Sequence, residues 1–216
     1  MAVFRAASDR GLLVSFGEEV TAGAAASVAR LTRRLEGLRG ILNLHPAYAS
    51  VLVEFDPRLR SHAEVESLVR GTDDRVPSSD SACRTVEISV RYGGEFGPDL
   101  EDVARHGGLS PERVVELHAA ALYLVHFLGF SPGFPYLGGL PPELATPRLE
   151  SPRKLVPSGS VAIGGSHAGI YPVDSPGGWR IIGRTPLRLF DAAATPPALL
   201  AMGDRVRFVP IPEGRP

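Results

Sequence analysis

Three groups of side chains in this chain have types and spacing suited to chemistry. The first is His167, set in the glycine-rich segment GSVAIGGSHAG (159–169) between two strand-like runs. An imidazole there can give or take a proton near neutral pH. The second is TPRLESPRKLVPSGS (146–160), which gathers Arg148, Arg153 and Lys154 around one acid, Glu150. Both arginines follow prolines, which restrict the local backbone. Guanidinium forks grip carboxylates and phosphates in bidentate fashion, so the segment suits an anionic ligand. A solvated basic loop is the plainer alternative. The third is GFSPG (129–133), a formal match to the G-x-S-x-G pattern around a nucleophilic serine. That pattern needs a strand before Ser131 and a helix after it. Leu122 to Phe127 supplies the strand, but Pro132, Pro135, Gly138 and Gly139 preclude the helix. Ser131 is not expected to be a nucleophile.

Other chemistries find little support. No G-x-x-x-x-G-K-[ST] occurs, and no G-x-G-x-x-G opens a helix. A nucleotide would have to bind through backbone amides and arginines. The six histidines lack ligand spacing and the one cysteine, Cys83, is remote, so no metal site is expected. His126, in an apolar strand, reads as a core residue. The balance of 23 basic against 24 acidic residues leaves a net charge of -1 with no basic block, which argues against nucleic-acid binding. The longest apolar run, 119–125, is too short to cross a bilayer. The start, MAVFRAASDRGLL, lacks the apolar core of a signal peptide. A lone cysteine precludes an internal disulfide and fits a reducing compartment. A cytoplasmic protein is expected.

The elements that must position these residues fall into two differently patterned halves. In the first, 12–16, 41–44 and 50–55 read as strands. Helices are expected over 21–38, where Val28, Leu31, Leu35 and Leu38 recur at helical spacing, and over 62–69. The polar, turn-rich stretch GTDDRVPSSDSAC (71–83) marks a boundary, giving domains 1–83 and 84–216. In the second half, Val86, Ile88, Val90 and Tyr92 alternate with polar residues, the signature of a half-buried strand. Short helices follow at 99–106 and 111–120. Runs at 160–165, 168–173, 179–185, 187–190 and 205–211 then read as short strands broken by Gly and Pro. That pattern predicts a β-barrel or sandwich. Trp179 beside the Pro-Gly-Gly turn reads as core.

One stretch stands apart. FLGFSPGFPYLGGLP (127–141) holds four glycines, three prolines, four aromatics and no charge. It reads as a stiff apolar loop, too irregular for a central strand. Phe130, Phe134 and Tyr136, with Pro132 and Gly133, suit a permanent contact or a pocket wall, alongside Trp179.

Taken with ATPRLESPRKLVPSGSVAIGG (145–165) and GIYPVDSPGGWRIIGRTPLRLFD (169–191), that stretch resembles the allophanate hydrolase subunit 1 family. The family includes the B components of bacterial 5-oxoprolinases and the KipI-type kinase inhibitors. The resemblance implies a small N-terminal α+β domain followed by a mostly β, cyclophilin-like barrel. It implies the B component of an ATP-dependent 5-oxoprolinase, inactive alone, which opens the lactam 5-oxoproline to L-glutamate. ATP is the implied cofactor, on this chain or a partner. The implied partners are a sister subunit of the allophanate hydrolase subunit 2 family (PxpC- or KipA-like) and a PxpA-like subunit. On this resemblance Arg148, Arg153, Ser158, Gly159 and Ser160 would bind substrate or phosphate, and His167, Tyr171 or Asp174 would assist proton transfer. The alternatives are a KipI-like inhibitor of a histidine kinase and half of a urea- or allophanate-type carboxyltransferase.

Overall fold

A computed structural model describes residues 2–18, 21–71 and 84–211. The chain divides into two compact units, 1–82 and 83–216. Most of the boundary stretch read from the sequence, 72–83, lies outside the described residues.

Unit 1 contains β1 (Val3–Ser8), β2 (Gly11–Ser15), α1 (Ala22–Leu35), β3 (Ile41–Pro46), β4 (Ser50–Phe55) and α2 (His62–Arg70). The strands form an antiparallel sheet in the order β1-β2-β4-β3. Val28, Leu31 and Leu35 of α1 and Val65 and Val69 of α2 bury against Leu12, Val14, Val51, Val53 and Phe55 of the sheet. Thr21 caps α1, and Ser61 with Glu64 forms a capping box on α2, so both helix starts have their loose N–H groups met. The edge strand β1 is not apparent in the sequence. Five of its six residues are exposed, so no apolar alternation marks it.

Unit 2 is built around a closed barrel. Its elements are β5 (Thr85–Tyr92), α3 (Leu100–Gly107), α4 (Pro111–Ala120), β6 (Tyr123–Leu128), β7 (Pro135–Gly138), β8 (Arg153–Val156), β9 (Ser160–Gly164), β10 (His167–Ile170), β11 (Ser175–Gly177), β12 (Arg180–Arg184) and β13 (Arg205–Pro210). Seven strands close in the order β10-β7-β6-β13-β5-β12-β9. An odd-numbered ring cannot be antiparallel throughout, and the one parallel junction lies between β13 and β5. The strands β8 and β11 form a separate two-stranded ribbon. Inside the barrel, Ile88, Val90, Val125, Leu137, Val161, Ile163, Ala168, Ile170, Ile182, Val206 and Phe208 pack together. Leu100, Val103 and Val114 of α3 and α4 join them, so the helices extend this core.

The barrel expected from the sequence is present, with two corrections to its parts. The apolar stretch read as a loop contains β7, a strand paired on both sides. The run 187–190 is not a strand and makes only an isolated bridge from Phe190 to Ala198. Pro186, which ends the preceding strand-like run, lacks a ladder donor and limits the chain there.

Candidate functional site

The residues with chemistry collect on the outside of the barrel. Tyr136 on β7 lies opposite Gly169 on β10, Gly169 opposite Ala162 on β9, and Ala162 opposite Ile181 on β12. Residues directly opposite one another share a face of a sheet. Their neighbours Leu137, Ala168, Val161 and Ile182 fill the interior, so this row faces outward. On it, Phe134, Ala162, Tyr171, Trp179, Ile181 and Val156 of the ribbon form a second buried cluster, with Tyr136 against its edge. Phe134 is central. Its ring lies 5.1 Å from both Tyr136 and Tyr171, 5.5 Å from Trp179 and 5.4 Å from Phe130.

Two glycines make this face possible. A Cβ at Gly164 would sit 2.4 Å from the Trp179 ring, and one at Gly138 would sit 1.8 Å from Nε2 of His126. Both strands are bare there so that a ring can lie flat on the backbone. A β-bulge then brings in His126. The register slips between Val125 and Phe127, so Val125 pairs with Leu137 and faces inward while Phe127 pairs with Tyr136 and stacks on it at 4.5 Å. The extra residue, His126, rests against Gly138 on the same outer face, 6.3 Å from the His167 ring. Bulges commonly re-aim a side chain in this way.

Arg148 supplies positive charge. It is exposed, with its guanidinium 5.5 Å from the Trp179 ring. Burial holds the His167 imidazole below the usual histidine range, and the nearby His126 and Arg148 push it the same way. Burial lowers His126 as well. Both rings are therefore neutral, proton-accepting bases at neutral pH. Burial raises the Tyr136 and Tyr171 hydroxyls, which remain protonated donors. The face thus offers a cation, two neutral imidazoles, the part-exposed Tyr136 phenol and apolar ring surfaces, with Tyr171 buried beneath. That set can hold a small anion with a flat apolar body and move a proton on it.

Several residues singled out in the sequence do other work. Arg153 donates from Nη2 to Asp99 at 2.7 Å, and the buried Asp99 also accepts the Ile181 N–H at 2.7 Å. This pair ties the ribbon and β12 to the start of α3. Asp174 accepts the Ser158 N–H at 2.7 Å and so ties together two segments sixteen residues apart. The Gly159 N–H donates to the Tyr171 carbonyl at 2.7 Å and the Ser160 N–H to the Pro157 carbonyl at 3.2 Å. The three amides at 158–160 are therefore engaged within the fold and do not form a phosphate cradle. Ser131 is followed by a turn and β7, not by a helix. Phe134 and Trp179 are buried in the chain's own outer cluster, whereas Phe130 is 62% exposed. Among the described residues no group of three His, Cys, Asp or Glu side chains could hold a metal ion. None of the helices among these residues is long and apolar enough to cross a membrane.

The second unit is a closed-barrel domain that carries an aromatic, basic face on its outside. The family model described as "Carboxyltransferase domain, subdomain C and D" matches residues 2–200, and the chain belongs to this family. Among its relatives is the B component of the 5-oxoprolinase of Bacillus subtilis, 41% identical over 95% of this chain and 91% of that protein. The urea amidolyase of Lachancea kluyveri is 26% identical over 97% of this chain but only 13% of its own length. Among solved structures, TTHA0988 superposes with a TM-score of 0.84 at 40% identity, over 96% of this chain. The chain spans 41% of the length of that structure.

Proposed function

We propose that the chain is the B component of an ATP-dependent 5-oxoprolinase and that the outer barrel face is its contribution to substrate handling. The near-full-length match to a protein named as the B component of 5-oxoprolinase carries this reading. The chemistry of the face agrees with it. A lactam is a poor electrophile because its nitrogen lone pair is delocalised into the carbonyl. ATP would supply a phosphoryl group to the lactam oxygen, with ADP leaving, which would open the carbon to water; after the ring nitrogen leaves, a second water would release the phosphoryl group as inorganic phosphate. Arg148 would hold the substrate carboxylate, and the aromatic rings would exclude water from the lactam body. His167, neutral at working pH, would accept the proton of the attacking water and return it to the leaving nitrogen. Because the amides at 158–160 are engaged within the fold, we assign the ATP phosphates to a partner surface.

Reconstitution tests the reading. The purified chain alone should show no ATP hydrolysis stimulated by 5-oxoproline. Addition of a subunit 2-type sister and a PxpA-like subunit should restore it, with glutamate as product. Substrate-dependent turnover by the chain alone, or its absence from the full mixture, contradicts the reading. The likeness to urea amidolyase favours a second reading, half of a carboxyltransferase. Carboxyl transfer from carboxybiotin by the same mixture would support it instead.

A further inference from the structure

Phe130 combines two features that folding alone does not reward. Among the described residues it is the one non-glycine with positive φ, at 67°, and it is 62% exposed. A bulky side chain in the left-handed region is strained, and such strain persists only where the surroundings impose it, most often at ligand sites. Here the surroundings are a tight hairpin tip. Gly129 N–H donates to the Phe134 carbonyl at 3.1 Å, and Phe134 N–H returns to the Ser131 carbonyl at 3.0 Å. The result is a ring held edge-on, 5.4 Å from Phe134 and 6.1 Å from Tyr171, with much of its surface in water. The Arg148 guanidinium lies 5.5 Å from the Trp179 ring of the same cluster, so an aromatic wall and a cation belong to one face.

We propose that Phe130 is a substrate-contacting specificity residue, whose ring stacks on the flat face of a small cyclic amide while Arg148 holds that molecule's carboxylate. This rests on the function proposed above and adds to it the residue that selects the closed ring over its opened, flexible product. The strained backbone is the means by which the fold presents the ring outward before the ligand arrives.

Trp179 provides a readout independent of turnover. It is the chain's single tryptophan and lies 5.5 Å from Phe134 within the same cluster. Titration of the chain with 5-oxoproline, followed by tryptophan fluorescence, should saturate, and L-glutamate should bind more weakly. Phe130→Gly removes the ring and relieves the strained φ, so it should leave the melting temperature within about 2 °C of the parent. It should weaken 5-oxoproline binding about tenfold, the effect of losing one stacked ring, and Phe130→Tyr should restore it. Equal affinity in Phe130→Gly, no binding by the parent chain, or a larger fall in melting temperature overturns the proposal. Retained, Phe130-dependent binding in a chain whose reconstituted complex is inactive would sink the 5-oxoprolinase reading alone.

Discussion

His118 lies fully buried in unit 2 against the rings of Tyr92, Tyr123 and Phe208, with the Tyr92 hydroxyl 2.8 Å from its Nδ1. Burial pushes its pKa down to about 3. The unfolded chain accepts a proton here below the ordinary value of about 6.5, and the folded chain refuses it until about 3. The stability that depends on a neutral ring is complete above pH 6.5 and erodes as the pH falls from there toward 3. The slope is about 1.4 kcal/mol per pH unit. Unfolding by denaturant at pH 7 and pH 5 should therefore show a loss of roughly 2 kcal/mol from this residue, and His118→Gln should flatten the dependence. Equal slopes in parent and variant would contradict this account. His126 and His167 differ from His118 in lying half-exposed on the outer face.

At the scale of elements, the face depends on bare strands. Gly164 on β9 has Trp179 lying across it. Gly164→Ala should push the indole off the strand and destabilise unit 2 by about 1–3 kcal/mol, the usual range for overpacking, with an altered tryptophan spectrum. An unchanged spectrum and midpoint would show that the close approach is unimportant. This scale also shows where the sequence stops being legible. α1, α2, α4, β4 and β5 carry full apolar periods and are readable from them. β7 is not, because Pro135 and Gly138 look like turn residues, and one of its two partners, β10, is distant in the chain. His126 is misread for a related reason. Regular alternation puts Tyr123, Val125 and Phe127 on one face, but the bulge turns Phe127 outward beside His126. A bulge of this kind leaves no local pattern. The one available signal was the paired glycines at 138 and 164, residues that inside strands mark close approach.

For the whole molecule, the three apolar and proline-rich motifs lead to the right family, because their order along the chain is fixed by one barrel face. Arg148 and His167 lie on that outer face, and Tyr171 is buried within it. Arg153 and Asp174 are engaged within the fold, Arg153 by the buried Asp99 and Asp174 by the Ser158 N–H, pairings that only the folded chain reveals. If this outer face handles substrate, Arg148→Ala in the reconstituted complex should reveal it. Arg148 is exposed and rests on the Trp179 ring, so its removal should leave folding and assembly intact. ATP hydrolysis stimulated by 5-oxoproline should fall by about a hundredfold or more, in line with the loss of an oriented charge at a reacting site. Stimulated hydrolysis at the parent rate in an intact Arg148→Ala complex would contradict the account.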